Sequence, residues 1–157
     1  MTAPVLRPET ICQVGFVVHD IEASARRYAE LFGLEPRRIE TPGYAKAKTT
    51  VNGQPSEATA KLAFFQMGQL TIELIQPDDK PSIWRDHLDK HGEGIHHIAF
   101  RVDDTKKTEQ AFAGLGIKTG QQGLYADASG MYTYLDSGPH LGVMIELLES
   151  FAKPGAG

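Results

Sequence analysis

Short stretches rich in apolar, β-branched and aromatic residues recur along the chain and predict β-strands. The first of them covers residues 11–18. The later ones are predicted at 61–67, 70–76, 95–102, 131–135 and 142–148. Gly68-Gln69 separates two of these strands and is typical of a hairpin turn. The pattern therefore predicts a protein in which strands form the larger part of the core.

Helical periodicity appears between the strands. Three helices are predicted, over 21–32, 82–90 and 105–115. Asp20 is a suitable N-cap for the first, and Gly33 follows its last turn as a C-terminal glycine should. The third begins after Asp103-Asp104 and ends at Gly116 in the same way.

Two segments predict irregular structure. Residues 41–60 contain two prolines and two glycines and are expected to be rich in loops. Residues 153–157, Lys-Pro-Gly-Ala-Gly, are expected to be a frayed tail.

The two halves of the chain repeat one pattern. Residues 13–20 match residues 97–104 at the same spacing, and Ile72–Ile75 match Ile145–Leu148. We therefore predict an α+β fold of two tandem βαβββ modules, joined by a linker with a short helix. The predicted boundaries are 11–76 for the first module, 77–94 for the linker and 95–149 for the second module. The paired sheets of the two modules would form a cup-shaped, partly closed mixed sheet.

His96 and His97 lie next to each other in a predicted strand. Strand side chains alternate between faces, so the two imidazoles are expected to point in opposite directions. His96 shares its face with the apolar Ile98, whereas His97 shares the other face with Arg101. We therefore expect His96 on the packed side and His97 in a polar cavity. Support of a neighbouring site by His96 is the alternative to core packing.

Equivalent positions of the repeat carry polar residues inside apolar strands. Gln13 corresponds to His97, and Glu73 corresponds to Glu146. A buried carboxylate costs several kcal/mol unless it is paired or binds a metal. Taken alone, each residue has an ordinary structural explanation, such as a hydrogen-bonded amide or a core histidine. As a symmetric set of one nitrogen and three oxygen donors, the four predict a site for a divalent zinc, nickel, cobalt, manganese or magnesium ion.

Composition and charge narrow the class of protein. The 157 residues are 41% hydrophobic and 23% charged, with a net charge of −4, which suits a soluble domain and argues against nucleic acid as a partner. No apolar run is long enough to span a membrane, and no signal peptide is evident, so a cytoplasmic location is predicted. Cys12 is the single cysteine, which excludes an intrachain disulfide and predicts a buried thiol. The basic pair Arg37-Arg38 is expected on a solvated face, with contact to an anionic substrate left open.

Residues 11–149 resemble the vicinal oxygen chelate superfamily, which includes glyoxalase I, methylmalonyl-CoA epimerase, extradiol dioxygenases and bleomycin or fosfomycin resistance proteins. Residues 92–100, 72–77 and 142–147 are most similar to the epimerases. The resemblance assigns the metal-ligand positions to Gln13, Glu73, His97 and Glu146. Epimerases usually have histidine where Gln13 stands, whereas some glyoxalase I enzymes use glutamine there.

The resemblance implies an enzyme that removes a proton α to a carbonyl while the metal stabilises the enolate. Glu146 is the expected base and ligand, with Glu73 as its partner. Glu57 lies near a second carboxylate position of the epimerases, although a solvated loop glutamate is an equal alternative. The expected substrate is an acyl-CoA or another thioester or carbonyl compound. A homodimer is expected, with the modules paired within one chain or across two.

Two alternatives to the epimerase stay open. One is a glyoxalase-I-type lactoylglutathione lyase, which shares the proton chemistry. The other is a non-catalytic drug-binding resistance protein, in which aromatic residues would line the cavity. Packing explains the candidate residues equally well: Trp84, Tyr125, Tyr132 and Tyr134. An extradiol dioxygenase is disfavoured, because its iron needs two histidines and one carboxylate and Gln13 replaces one of them.

Overall fold

One mixed sheet organises the protein. A computed structural model describes residues 3–151, and ten strands of this part join in a single curled sheet. The strands are β1 Ile11–Val17, β2 Arg37–Glu40, β3 Thr50–Val51, β4 Gln54–Pro55, β5 Ala60–Met67, β6 Leu70–Pro77, β7 Gly94–Arg101, β8 Thr119–Leu124, β9 Gly130–Leu135 and β10 Met144–Ser150. The helices are α1 Ile21–Phe32, α2 Tyr44–Ala47, α3 Ile83–His91, α4 Thr105–Gly114 and α5 Gly138–Leu141. The predicted α+β class is confirmed.

The strand order is symmetric about the centre of the sheet. It runs β2-β5-β6-β1-β7-β10-β9-β8-β3-β4. The central strands β1 and β7 are antiparallel, and each has a parallel neighbour, β6 and β10 respectively. The four strands that carry the predicted ligands are therefore adjacent, and they meet within one chain. The division into modules at 11–76 and 95–149 stays a prediction.

Equivalent helices follow the two central strands. The Asp20 side chain accepts a hydrogen bond from the Ala23 N–H at 3.0 Å at the start of α1, and Asp104 does the same for Lys107 at 2.9 Å at the start of α4. Helix α1 ends at Gly33, whose φ of 64° suits glycine. Each helix covers a separate apolar cluster on the outer side of the sheet, one around Phe65 and Leu74 and one around Leu135 and Leu147.

A third apolar cluster lies beneath α3. It contains Trp84, Leu88, Tyr132 and Tyr134. The first turn of α3 is held by two buried side chains. Ser82 accepts from the Arg85 N–H at 3.0 Å, and Gln121 accepts from the Ile83 N–H at 3.0 Å. Helix α3 therefore holds the aromatic side chains of Trp84, Tyr132 and Tyr134 next to the predicted site.

Several short elements were not predicted from the sequence. Strands β2 and β8 are additional, and the segment 41–60 contains α2, β3 and β4 in place of continuous loop. The predicted tail, 153–157, lies outside the described residues. Within residues 3–151, no helix combines the length and the apolar composition that crossing a membrane requires.

The predicted direction of His96 relative to His97 was wrong, whereas its predicted burial is confirmed. The register of β1 with β7 passes from Gly15 opposite His97 to Phe16 opposite Ile95, which leaves His96 as the extra residue of a β-bulge. A bulge interrupts alternation locally, so neighbouring side chains can share a face. His96 and His97 are both buried, and their Nδ1 atoms lie 3.1 Å apart. His96 therefore turns toward His97 and away from the apolar face of Ile98.

Candidate metal centre and cavity

The four predicted ligands come together on the inner face of the sheet. Gln13 lies on β1, Glu73 on β6, His97 on β7 and Glu146 on β10. Gly15 is the register partner of both Glu73 and His97, whereas Ala99 is the partner of both Gln13 and Glu146. Glu73 and His97 therefore lie level with Gly15, whereas Gln13 and Glu146 lie level with Ala99, in the next row of side chains on the same face of the sheet. Small residues at Gly15 and Ala99 leave space between them.

The imidazole of His97 is the centre of the group. Its Nε2 atom lies 2.9 Å from Glu146 Oε2, 3.3 Å from Glu73 Oε2 and 3.2 Å from Gln13 Oε1. Candidate ligand atoms of His97, Glu73 and Glu146 all lie within 4.8 Å of one another. This convergence of one nitrogen with three oxygens is the predicted donor set.

The two carboxylates are buried and incompletely satisfied. Glu73 is 5% exposed and Glu146 is 3% exposed. Within residues 3–151, neither Glu73 Oε2 nor Glu146 Oε2 takes part in a hydrogen bond of acceptable geometry. Buried polar atoms without partners are uncommon in folded proteins, and a carboxylate oxygen facing other oxygens is stabilised by a cation. The donor set and its unsatisfied oxygens therefore fit a divalent metal.

The electrostatics of the group combine burial with the charges of the two glutamates and His97. Burial alone would lower the pKa of His97, but Glu146 and Glu73 outweigh burial and raise that pKa to about 10. Burial raises the pKa of Glu73, and His97 offsets only part of this effect. In the metal-free protein a proton on His97 therefore supplies positive charge where a metal would otherwise be held.

Gly15 shapes the site, although it is not one of the polar residues that the sequence pattern indicates. A Cβ at this position would overlap the imidazole ring of His97. The ring therefore lies directly over the backbone of β1, and only glycine leaves room for it. The sequence did contain a signal, since Gly15 is a glycine within a strand of larger residues.

Tyr134 also belongs to the site, although the sequence suggested it only as a stacking candidate. Its ring centroid lies 5.1 Å from that of His97 and 5.3 Å from that of His96, both in edge-on geometry. The Tyr134 hydroxyl accepts a hydrogen bond from Trp84 Nε1 at 3.1 Å. Tyr134 thus packs against both histidines and is joined to α3 by its hydrogen bond with Trp84.

A cavity of about 850 Å³ opens above this floor. Gln13, Glu73 and Glu146 face into it, while His97 lies beneath them with no exposed surface. The aromatic residues considered from the sequence line its wall: Trp84, Tyr125, Tyr132 and Tyr134. The volume is in the range of pockets that bind small molecules.

Arginines add positive charge to the cavity. Arg101 lines it, as its position on the face of His97 suggested. Arg37 also lines it, with its guanidinium 4.5 Å from the centre of the Phe64 ring. Arg38, by contrast, contacts Glu22 at 2.8 Å on the exposed side. The predicted solvated pair therefore divides between two faces, because adjacent strand residues point in opposite directions.

The structure does not bring Glu57 to the site. Glu57 is exposed, and its Oε2 accepts a hydrogen bond from the Tyr44 N–H at 3.0 Å, at the start of α2. It does not line the cavity. The hydrogen bond to Tyr44 indicates that Glu57 helps to order the 41–60 segment. Two other carboxylates, Glu35 and Asp127, line the cavity instead.

The fold and the site define a class of protein. The family model of the glyoxalase/bleomycin resistance protein/dioxygenase superfamily matches residues 12–134. The chain belongs to this superfamily.

Individual relatives are more distant. Protein YqjC of Bacillus subtilis (strain 168) is 27% identical over 137 residues, which are 87% of this chain and 89% of YqjC. The fold is similar to that of methylmalonyl-CoA epimerase from Mycobacterium tuberculosis, with a TM-score of 0.65, 23% identity and coverage of 100% of this chain and 97% of that one. It is also similar to a Streptomyces coelicolor methylmalonyl-CoA epimerase variant in complex with 2-nitronate-propionyl-CoA, with a TM-score of 0.64, 22% identity and coverage of 91% and 98%. At these identities the likeness establishes the fold.

Proposed function

We propose that the protein is a metal-dependent epimerase that moves a proton at the carbon α to the carbonyl of an acyl thioester. The observation that carries the proposal is the placement of two carboxylates on the floor of a cavity, one from each half of the sheet. Glu73 and Glu146 both lie within 3.3 Å of the His97 ring nitrogen. Gln13 completes the set at 3.2 Å.

The residues divide the chemistry between them. Gln13, Glu73, His97 and Glu146 would hold a divalent ion, which supplies Lewis-acid stabilisation of negative charge on the substrate's carbonyl oxygen. Glu146 takes the proton from the α-carbon, and the C–H electron pair moves to the carbonyl. Glu73, in its protonated form, donates a proton to the opposite face of that carbon as the electron pair returns from the carbonyl, which gives the epimer without net change in composition. Proton exchange with water then restores the two carboxyl groups.

The walls of the cavity suit the same substrate class. Aromatic residues exclude water around the reacting carbon, which strengthens the electrostatic interactions of the floor. Arg37 and Arg101 favour a substrate with negative charge. The similar folds of epimerases, one of them in complex with a propionyl-CoA derivative, support an acyl-CoA.

Exchange of the α-proton with deuterated water tests the proposal. Protein reconstituted with Zn²⁺, Co²⁺ or Ni²⁺ is incubated with methylmalonyl-CoA, and incorporated deuterium is followed by mass spectrometry. We expect rapid incorporation that depends on added metal and is lost in the Glu146→Gln variant. No incorporation above the rate of the buffer with any of these ions would contradict an epimerase of this substrate.

A glyoxalase-I-type lyase is the second candidate. The observation that favours it is Gln13, because a glutamine in that position, with two glutamates and a histidine, resembles some glyoxalase I enzymes. The same metal-loaded protein is therefore assayed with the hemithioacetal of methylglyoxal and glutathione. Turnover of the hemithioacetal without deuterium incorporation into methylmalonyl-CoA would favour the lyase.

The aromatic wall also suits the third candidate, a non-catalytic binding protein. Trp84, Tyr132 and Tyr134 are, however, in contact with one another, with ring centroids 5.5 to 6.1 Å apart. Packing therefore accounts for them without a stacked ligand. Ligand binding that is equally strong with and without divalent metal, in the absence of any turnover, would favour this candidate.

A further inference from the structure

The β-bulge at His96 creates a contact that regular alternation would forbid. His96 Nδ1 lies 3.1 Å from Nδ1 of His97, while Nε2 of His97 faces the carboxylates on the opposite edge of its ring. The two edges of His97 are thus occupied by different partners. One edge meets the candidate metal ligands, and the other meets a neighbouring imidazole.

A hydrogen bond between two imidazole nitrogens requires one donor and one acceptor. If His96 donated, Nδ1 of neutral His97 would accept, and the proton of His97 would lie on Nε2, where it blocks a metal. If His96 accepts, Nδ1 of His97 carries the proton, and the Nε2 lone pair is directed at Glu73 and Glu146. Metal-binding histidines commonly donate their second N–H to such a partner, which fixes the tautomer and the ring orientation.

His96 is buried and packed between other aromatic rings. The residue is 1% exposed, and its ring packs edge-on against His87 at 5.1 Å and Tyr134 at 5.3 Å between centroids. Its Nε2 makes no hydrogen bond of regular geometry within residues 3–151. Burying a polar nitrogen without a good hydrogen bond costs free energy. Its one side-chain hydrogen bond in this part of the chain is the one to His97.

We propose that His96 is a positioning residue whose Nδ1 accepts the hydrogen bond of His97 Nδ1–H and so presents the Nε2 lone pair of His97 to the metal. The inference rests on the proposed metal-dependent function. It adds a residue that touches neither the metal nor the substrate.

Zn²⁺ titration by calorimetry tests the inference with three variants. His96→Asn keeps an amide oxygen near the position of Nδ1, whereas His96→Leu removes the acceptor. His87→Leu is the matched control, because it removes an imidazole that packs on His96 without contacting His97. We expect affinity roughly 10- to 100-fold weaker in His96→Leu. His96→Asn and His87→Leu should stay within a few-fold of the original protein.

Thermal unfolding of each variant separates folding from binding. If His96→Leu does not fold, His96→Gln replaces it, since a glutamine amide reaches the position of Nε2 and leaves Nδ1 without a substitute. Affinity unchanged in the acceptor-free variant would overturn the inference. Equal weakening in His96→Asn and in the acceptor-free variant would also overturn it, because packing alone would then explain the loss.

Nitrogen-15 spectra of the histidines in the Zn²⁺-loaded protein provide a readout that a purely structural role would not move. We expect a slowly exchanging Nδ1–H signal for His97 in the original protein and in His96→Asn, and its loss in the acceptor-free variant. Its persistence in the acceptor-free variant would contradict the inference. Failure of the original protein to bind any divalent ion would instead contradict the proposed function itself.

Discussion

At the scale of single residues, the site depends on the absence of a side chain at Gly15 as much as on its polar groups. Without a Cβ at Gly15, the His97 ring can lie over β1, with its Nε2 between Glu73 and Glu146. The imidazole cannot keep this position beside any larger residue. Metal affinity should therefore respond sharply to a methyl group at Gly15.

Gly15→Ala tests this dependence. The added Cβ must displace His97, so we expect loss of metal binding by at least an order of magnitude together with a lower unfolding temperature. Gly120→Ala is the control, because a Cβ there meets its nearest atoms at 3.7 Å, an ordinary contact distance. Calorimetric titration and thermal unfolding are compared for the two variants. Full metal affinity in Gly15→Ala would contradict the described packing of His97.

The negative charge of Glu146 is expected to be required for exchange of the α-proton. Glu146→Gln keeps the shape of the side chain but cannot accept the α-proton, so proton exchange should fall by roughly 100- to 10,000-fold. Glu57→Gln should retain exchange, because the Glu57 carboxylate contacts the Tyr44 backbone on the exposed side. Exchange rates in deuterated water, measured at saturating metal, check both. Loss of exchange in Glu57→Gln would restore Glu57 as a site residue.

Metal binding should also depend on pH. A proton on Nε2 competes with a metal, and in the metal-free protein Glu146 and Glu73 keep His97 protonated by raising its pKa to about 10. Because this pKa is raised, apparent affinity should increase with pH, by up to about tenfold per unit between pH 6.5 and 8.5. Calorimetry in buffers of different ionisation enthalpy measures the released protons. Affinity that is independent of pH over this range would contradict a protonated His97.

The four converging residues could be found from the sequence because the internal repeat marks them in pairs. Gln13 matches His97, and Glu73 matches Glu146, and strands of equal register bring each pair to the centre of the sheet. Arg37 could not be assigned in the same way. Which of two adjacent arginines faces inward depends on the register of β2 with β5, and no local pattern specifies it.

At the scale of elements, the strands and helices with clear periodicity were predicted within one or two residues. Helix α1, for example, covers the predicted residues 21–32, since both its N-cap and its terminal glycine are explicit in the sequence. Strand β8, Thr119–Leu124, was missed because its Thr-Gly-Gln-Gln-Gly-Leu sequence has few apolar residues. Its buried Gln121 is stabilised by contacts with α3, which are visible only in three dimensions.

The bulge in β7 lies beyond what periodicity can predict. Alternation assigns every second residue to one face, and an inserted residue changes this assignment without changing the apolar composition. His96 was therefore placed on the wrong face, although both histidines lie in the predicted strand.

The substitution Gln121→Leu tests what stabilises the first turn of α3. The substitution removes the oxygen that accepts from Ile83 N–H in the first turn of α3 and leaves that buried donor without its partner. We expect the free energy of unfolding to fall by about 1 to 3 kcal/mol. Gln54→Leu, at an exposed position on β4, should change it by less than about 0.5 kcal/mol. Urea denaturation of both variants checks the difference. Equal free energies of unfolding for Gln121→Leu and Gln54→Leu would contradict the role of Gln121 in stabilising the first turn of α3.

At the scale of the whole molecule, the site lies where the two halves of the sheet meet. Strand β1 pairs with β7 in the centre, and each half contributes one glutamate from the neighbouring parallel strand. All four candidate ligands come from one chain in this structure. Pairing of the modules across two chains stays an alternative. A homodimer likewise stays a prediction.

The stoichiometry and affinity of divalent metal binding test the central claim most directly. Purified protein is stripped with chelator, titrated with Zn²⁺, Co²⁺ and Ni²⁺ by calorimetry, and checked for bound metal by elemental analysis. We predict one ion per chain, at least tenfold weaker binding in both Glu73→Gln and Glu146→Gln, and a higher unfolding temperature in the loaded protein. Absence of binding above background for every ion, or binding that is unchanged when both glutamates are replaced, would contradict a metal centre at Gln13, Glu73, His97 and Glu146.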